Sequence, residues 1–224
     1  MNGDAGRGRG FPMSFSANIF RTPGPVIALA SMLMIACRRE LPPSEYMAEY
    51  EKQTLSESNS AGYQFSILPL TADYLSAQHA DSTWSPVALE SFRKSYSGFT
   101  YISLRISPSN PSGEDSDFKK DYLGAGMVAG QEAYQQRLHL LQYGLAPYAF
   151  LEFSDGTLVS PLSYRFERGY GLAGAESFLF MFPKSKNGRD LSLPGSRFIL
   201  KDFGLNTGTV KIPIRTGASL ALKV

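Results

Sequence analysis

Apolar and polar residues alternate with a period of two over much of the chain, the pattern of strands with one face in a core. In Phe99 to Ile106, Tyr101 is followed by Ile102, Leu104 and Ile106, while Ser103 and Arg105 point the other way. Tyr63 to Leu70 begins with the same alternation. Tyr148 to Phe153 runs into Ser154-Asp155-Gly156, a hairpin signal, and Thr157 to Phe166 returns with Pro161 implying an edge or bulge. Ser177 to Phe182 is a continuous apolar run that reads as a buried strand. Lys184 to Gly188 reads as a turn, and Arg197 to Asp202, Thr209 to Ile214 and Ala218 to Val224 add further strands.

One stretch carries helical spacing instead. Tyr134, Leu138 and Leu141 recur at i, i+4 and i+7, and Gly144 stands where a C-terminal cap would. The order predicts a mainly β fold: a β-sandwich or open barrel of short antiparallel strands, with one helix at about 131–143 across an end or edge. Residues 63–224 form the single β-rich domain of this reading. Residues 37–62 are polar and read as a tether, in which Ser44 to Leu55 has the makings of a short helix capped by Ser44.

The first 36 residues differ in kind. Val26 to Ala36 is apolar and uncharged, follows Arg21 and Pro23-Gly24-Pro25, and stops at Arg38-Arg39-Glu40. Its length of about 11 residues falls short of the roughly 20 that a membrane-crossing helix needs. A charged start, a short apolar stretch and a small residue at the end make a secretory signal. Met13 gives a leader of more usual length than Met1, with Arg21 as its positive charge.

Met34-Ile35-Ala36-Cys37 resembles the lipobox of bacterial lipoproteins, in which a small residue precedes the acylated cysteine. Met34 departs from the usual Leu; Ala36 and Cys37 match. The resemblance implies cleavage after Ala36, a diacylated Cys37 as the new N-terminus and a membrane held through that lipid. It implies a cell-envelope location. Arg38, where Asp would favour inner-membrane retention, points to the outer membrane of an organism that has one.

Charge supports the division at Cys37. The formal charge is +2, but Arg7, Arg9, Arg21 and Asp4 all precede Cys37. Removing them from the totals of 22 basic and 20 acidic residues leaves 19 of each in the mature part. A neutral domain lacks the basic excess that a broad nucleic-acid surface requires. The chain has one cysteine, so it forms no internal disulfide and no cysteine metal cage. Apolar residues at 43% and charged residues at 19% place it among globular chains.

Several motifs invite chemistry without its context. Gly169-Tyr-Gly-Leu-Ala-Gly174 spells a dinucleotide loop but precedes a predicted strand, where the phosphate site needs a helix. Gly124 to Gly130 precedes a helix but follows Lys119-Lys120-Asp121, unlike a buried strand. Asp202-Phe203-Gly204 has none of the other kinase elements. His79 and His139, the two histidines, stand 60 apart without a cysteine partner, and no G-x-S-x-G elbow accompanies them. Glu114, Asp115 and Asp117 lack the Ca²⁺-loop spacing and read as a solvated acidic loop. The sequence thus nominates no catalytic residue, cofactor or metal.

Tyr164, Phe166 and Tyr170, with Arg165 and Arg168 between them, are the candidate ligand-binding aromatics, since exposed rings stack on sugars and peptide side chains. The expected function is a non-catalytic, lipid-anchored module that binds an envelope protein or glycan. The alternative is a cell-surface hydrolase of glycan or peptide, which would need two carboxylates about 5 to 9 Å apart in a cleft.

Overall fold

A computed structural model of the chain describes residues 39–79, 85–109, 129–167, 175–186, 189–190, 193–217 and 220–223. The fold is mainly β, as the alternation predicts, and the described strands form no closed barrel. The strands are β1 (Arg39–Leu41), β2 (Ser56–Ser60), β3 (Tyr63–Leu70), β4 (Phe99–Pro108), β5 (Ala149–Glu152), β6 (Leu158–Val159), β7 (Ser163–Glu167) and β8 (Glu176–Pro183). After them come β9 (Ser185–Lys186), β10 (Arg189–Asp190), β11 (Arg197–Leu200), β12 (Val210–Pro213) and β13 (Leu220–Leu222). The helices are α1 (Pro43–Thr54), α2 (Ala72–His79), α3 (Pro86–Tyr96) and α4 (Gln131–His139).

Two antiparallel sheets enclose the main core. The larger has the order β2-β3-β4-β8-β7, the smaller β12-β11-β5-β6. Register lines up the apolar positions across each. Ser56, Ile67, Leu104, Phe178 and Phe166 form one row of the larger sheet. Ile212, Phe198, Leu151 and Val159 form a row of the smaller, all buried. The rings of Phe180 and Phe198 meet at 5.6 Å between centroids and join the two sheets. Side chains of this size dominate the energetics, because a buried Phe removes about 150–250 Å² from water.

The larger sheet is used on both faces, and β3 shows how. Phe65 and Ile67 point into the core between the sheets, while Leu68 and Leu70 pack against a second cluster. That cluster holds Tyr46 and Tyr50 of α1, Tyr74 and Ala77 of α2, Leu89 of α3, and Leu41 and Leu222 of the β1–β13 pair. β1 and β13 run parallel, the one exception to antiparallel pairing among the described strands. Leu41 accepts the N–H of Lys223 at 2.8 Å and so extends the ladder.

This second cluster corrects the tether reading. Residues 39–60 are part of the folded domain: they supply β1, α1 and the edge strand β2. Polar composition hides two tyrosines four apart, Tyr46 and Tyr50, which put one stripe of α1 into the cluster. Ser44 does not cap α1. The helix starts at Pro43 behind an extended Pro42, as proline at a first helical turn does.

Other boundaries also move. The helix expected at about 131–143 is present as α4 and continues through a π-helical turn at Leu140–Gly144, the short helix expected over Ser44 to Leu55 is α1, and α2 and α3 come in addition. Gly144 is not a left-handed cap. A Cβ there would lie 2.7 Å from Cδ1 of Leu140, so the residue provides room inside the turn. The expected strand Thr157 to Phe166 breaks at Pro161 into β6 and β7, which belong to different sheets. The ring of Pro161 has no N–H to give a ladder, so the chain changes sheets there. The expected turn after Pro183 contains a small β9–β10 hairpin.

The hairpin signal at Ser154-Asp155-Gly156 is correct. Gly156 has φ +80° and its N–H donates to Phe153, while Asp155 Oδ1 accepts the N–H of Thr157 at 2.9 Å.

Candidate functional site

The residues that the sequence singles out scatter when placed in the fold. Ala36, Cys37, Tyr170, Arg168, Gly169 to Gly174, Gly124 to Gly126, and Glu114, Asp115 and Asp117 lie outside the described residues. Asp202 belongs to a turn: its Oδ1 accepts the backbone N–H of Leu205 at 2.9 Å and of Gly204 at 3.3 Å. Phe203 beside it is buried in the main core and meets Tyr148 edge-on. His139 is exposed next to the ring of Tyr143, and His79 ends α2. Among the described residues, no group of three or more His, Cys, Asp or Glu side chains is arranged to hold a metal ion.

Tyr164 and Phe166 do share a face, but it is the inner one. Tyr164 stacks on Phe180 with centroids 5.5 Å apart, and Phe166 on Phe178 at 5.1 Å. The Tyr164 hydroxyl accepts the backbone N–H of Leu145 at 2.9 Å and points its own proton toward the carbonyl of Leu140, 3.4 Å away. A π-turn leaves backbone groups out of the regular helical pattern, and this phenol takes up two of them. Burial pushes its pKa up. Tyr164 therefore braces the end of α4 against the sheet, and both rings pack against the main core with part of their surface left in water.

Half-exposed aromatics occur elsewhere. His79, Phe92, Tyr96, Tyr101 and Phe99 form a chain of ring contacts from α2 through α3 to the start of β4. His79 lies nearly parallel to Tyr96, 7° between planes, and Tyr96 meets Tyr101 edge-on at 5.8 Å. Helical spacing puts Phe92 and Tyr96 on one side of α3, and strand alternation puts Phe99 and Tyr101 on the outer face of β4. Phe99 keeps 40% of its surface in water. Cations border the ridge: Lys94 is exposed on α3, and Lys184 Nζ donates to the carbonyl of Ser97 at 3.1 Å. Beneath it, Arg93 Nε pairs with Asp73 at 2.6 Å and ties α3 to α2.

The ridge escapes a sequence reading because its members come from three elements, two of them unpredicted helices. A signal existed for α3. Ser85-Pro86 is a helix start, and Ser85 Oγ accepts the N–H of Ala88 at 3.2 Å. Such a ridge can stack on flat apolar faces of sugars or on peptide side chains.

The tyrosines under α1 have a different role. Tyr50 donates to the carbonyl of Pro69 at 2.8 Å, and Tyr74 donates to the carboxylate of Glu51. Burial, with the neighbouring Tyr46, pushes the pKa of Tyr50 up to about 12. Burial, then the bond and charge of Glu51, raise Tyr74 further. Both stay protonated donors at neutral pH; Tyr50 ties α1 to β3, and Tyr74 ties α2 to α1.

No protein-family model matches the chain, and no curated protein is similar to it. Among solved structures, a protein of unknown function from Burkholderia pseudomallei K96243 is similar at 11% identity and a TM-score of 0.32. The match covers 83% of this chain and 86% of that one, a likeness too slight to carry fold or function.

Proposed function

We propose that this chain is an exported precursor whose mature domain is held to the cell envelope by lipid on Cys37. The single supporting observation is a coincidence of two boundaries. The lipobox-like Met34-Ile35-Ala36-Cys37 ends where the compact unit starting at Arg38 begins. Cleavage after Ala36 would remove the leader and leave every described strand and helix intact.

In this reading the domain is a non-catalytic binding or assembly module at the outer membrane. The ridge of Phe92, Tyr96, Phe99 and Tyr101 is its contact surface for an envelope glycan or protein. Half-exposed rings on a rigid helix–strand frame suit such contacts, because they give up little side-chain freedom on binding.

Growth with a clickable fatty-acid analogue tests the anchor. The wild type incorporates label and Cys37→Ser incorporates none; equal labelling of the two rejects the reading.

A further inference from the structure

We propose that the end of the domain formed by Arg39, Leu220 and the last turn of α1 is a docking face for phospholipid headgroups. This rests on the lipidation of Cys37 proposed above and adds which part of the surface meets the lipid. Only Arg38 separates Cys37 from β1. Two peptide steps reach at most about 8 Å. A lipid on Cys37 therefore holds the start of β1 at the bilayer surface.

β1 passes that constraint to the whole domain. Three register pairs join it to β13, from Arg39 opposite Leu220 to Leu41 opposite Leu222, and Leu41 is buried. Pro42 leads the chain directly from β1 into α1, whose last turn lies beside the segment that enters β13. Gly217, three residues before Leu220, packs on Thr54 and Tyr50 of that same turn. Exposed Lys52, Leu55, Arg215 and Thr216 gather at this end. A groove of about 530 Å³ runs between them, lined also by Ala48, Glu51 and Glu57.

The chemistry fits a headgroup layer. Lys52 and Arg215 provide cations for phosphate, and Leu55 offers an apolar side chain 39% exposed beside them. Two exposed acids share the groove and keep their charge, Glu51, which accepts from Tyr74, and Glu57, which accepts from Ser66 at 3.1 Å, so its charges balance as those of a zwitterionic headgroup do. Thr209 stands at the other end of β12, six residues from Arg215 along a mostly extended chain, or roughly 20 Å.

Fluorescence quenching tests the orientation. Lipidation occupies the thiol of Cys37, so Thr216→Cys or Thr209→Cys then carries the one free thiol. Each mature protein is labelled there and placed in vesicles of phosphatidylglycerol and phosphatidylethanolamine bearing a headgroup nitroxide. The label at position 216 is expected to be quenched several-fold more than the label at 209. Equal quenching, or stronger quenching at 209, in protein that floats with the vesicles overturns the docking face and leaves the anchor standing. A wild type that keeps a free thiol and does not float overturns both.

Discussion

Tyr164 accepts a hydrogen bond from the backbone N–H of Leu145, 2.9 Å away, and through it the edge strand β7 holds the π-turn that ends α4. Ring and hydroxyl act separately, since the ring stacks on Phe180. Tyr164→Phe keeps the ring and strands a half-buried N–H. Urea unfolding should show a loss of about 1–2 kcal/mol, against about 3–5 kcal/mol for Tyr164→Ala, which also opens a cavity. Equal losses would mean that the hydroxyl contributes nothing.

The buried tyrosines predict alkaline weakening. An unfolded Tyr ionises near 10, and Tyr50 in the folded chain is held up to about 12. A raised pKa here favours the neutral phenol, so its contribution is complete below pH 10 and is lost as pH rises from 10 through 12. Two units correspond to about 2–3 kcal/mol. Tyr74 adds a loss in the same direction. Denaturant midpoints should be flat from pH 7 to 9 and fall above 10, and Tyr50→Phe should flatten that fall. An equally steep fall in Tyr50→Phe contradicts the assignment.

If residues 39–60 were a tether, removing them would be harmless. They cover Leu68 and Leu70 with Tyr46 and Tyr50, and supply β2. A protein in which residues 39–60 are replaced by a Gly/Ser linker should lose its cooperative melt and its near-ultraviolet dichroism. A sharp, wild-type-like melt would restore the tether.

The aromatic ridge separates binding from stability. Phe99 is 40% exposed, so Phe99→Ser should cost about 1–3 kcal/mol, far less than truncating a core Phe, and leave the cooperative fold intact. Sedimentation with purified cell-wall glycan, or capture of envelope protein, should nonetheless weaken about tenfold. Unchanged retention of both would move the contact surface elsewhere.

Legibility in the sequence followed how local each cause is. β3, β4 and β12 were readable because every second residue is apolar and faces one core. The hairpin at Asp155-Gly156 was readable because a positive φ requires its glycine. α4 was readable from Tyr134, Leu138 and Leu141, all of which pack on the main core. α1 was seen as a helix but assigned to a tether, because its partners Leu41, Leu70 and Leu222 come from distant parts of the chain. α2 and α3 bury short, mixed stripes and went unseen. Tyr164 and Phe166 were grouped correctly on one face, but alternation does not say which side that face looks to, and stacking on Phe180 and Phe178 turns it toward the main core. The aromatic ridge depends on α2 and α3 meeting β4, a relation absent from any single segment.

Intact mass spectrometry of protein purified from the membrane fraction tests the central claim most directly. The account predicts a chain beginning at Cys37, heavier than residues 37–224 by a diacylglycerol thioether, with or without a third acyl group on the new amino terminus. A chain that retains residues before Cys37, or that begins elsewhere with an unmodified thiol, contradicts it.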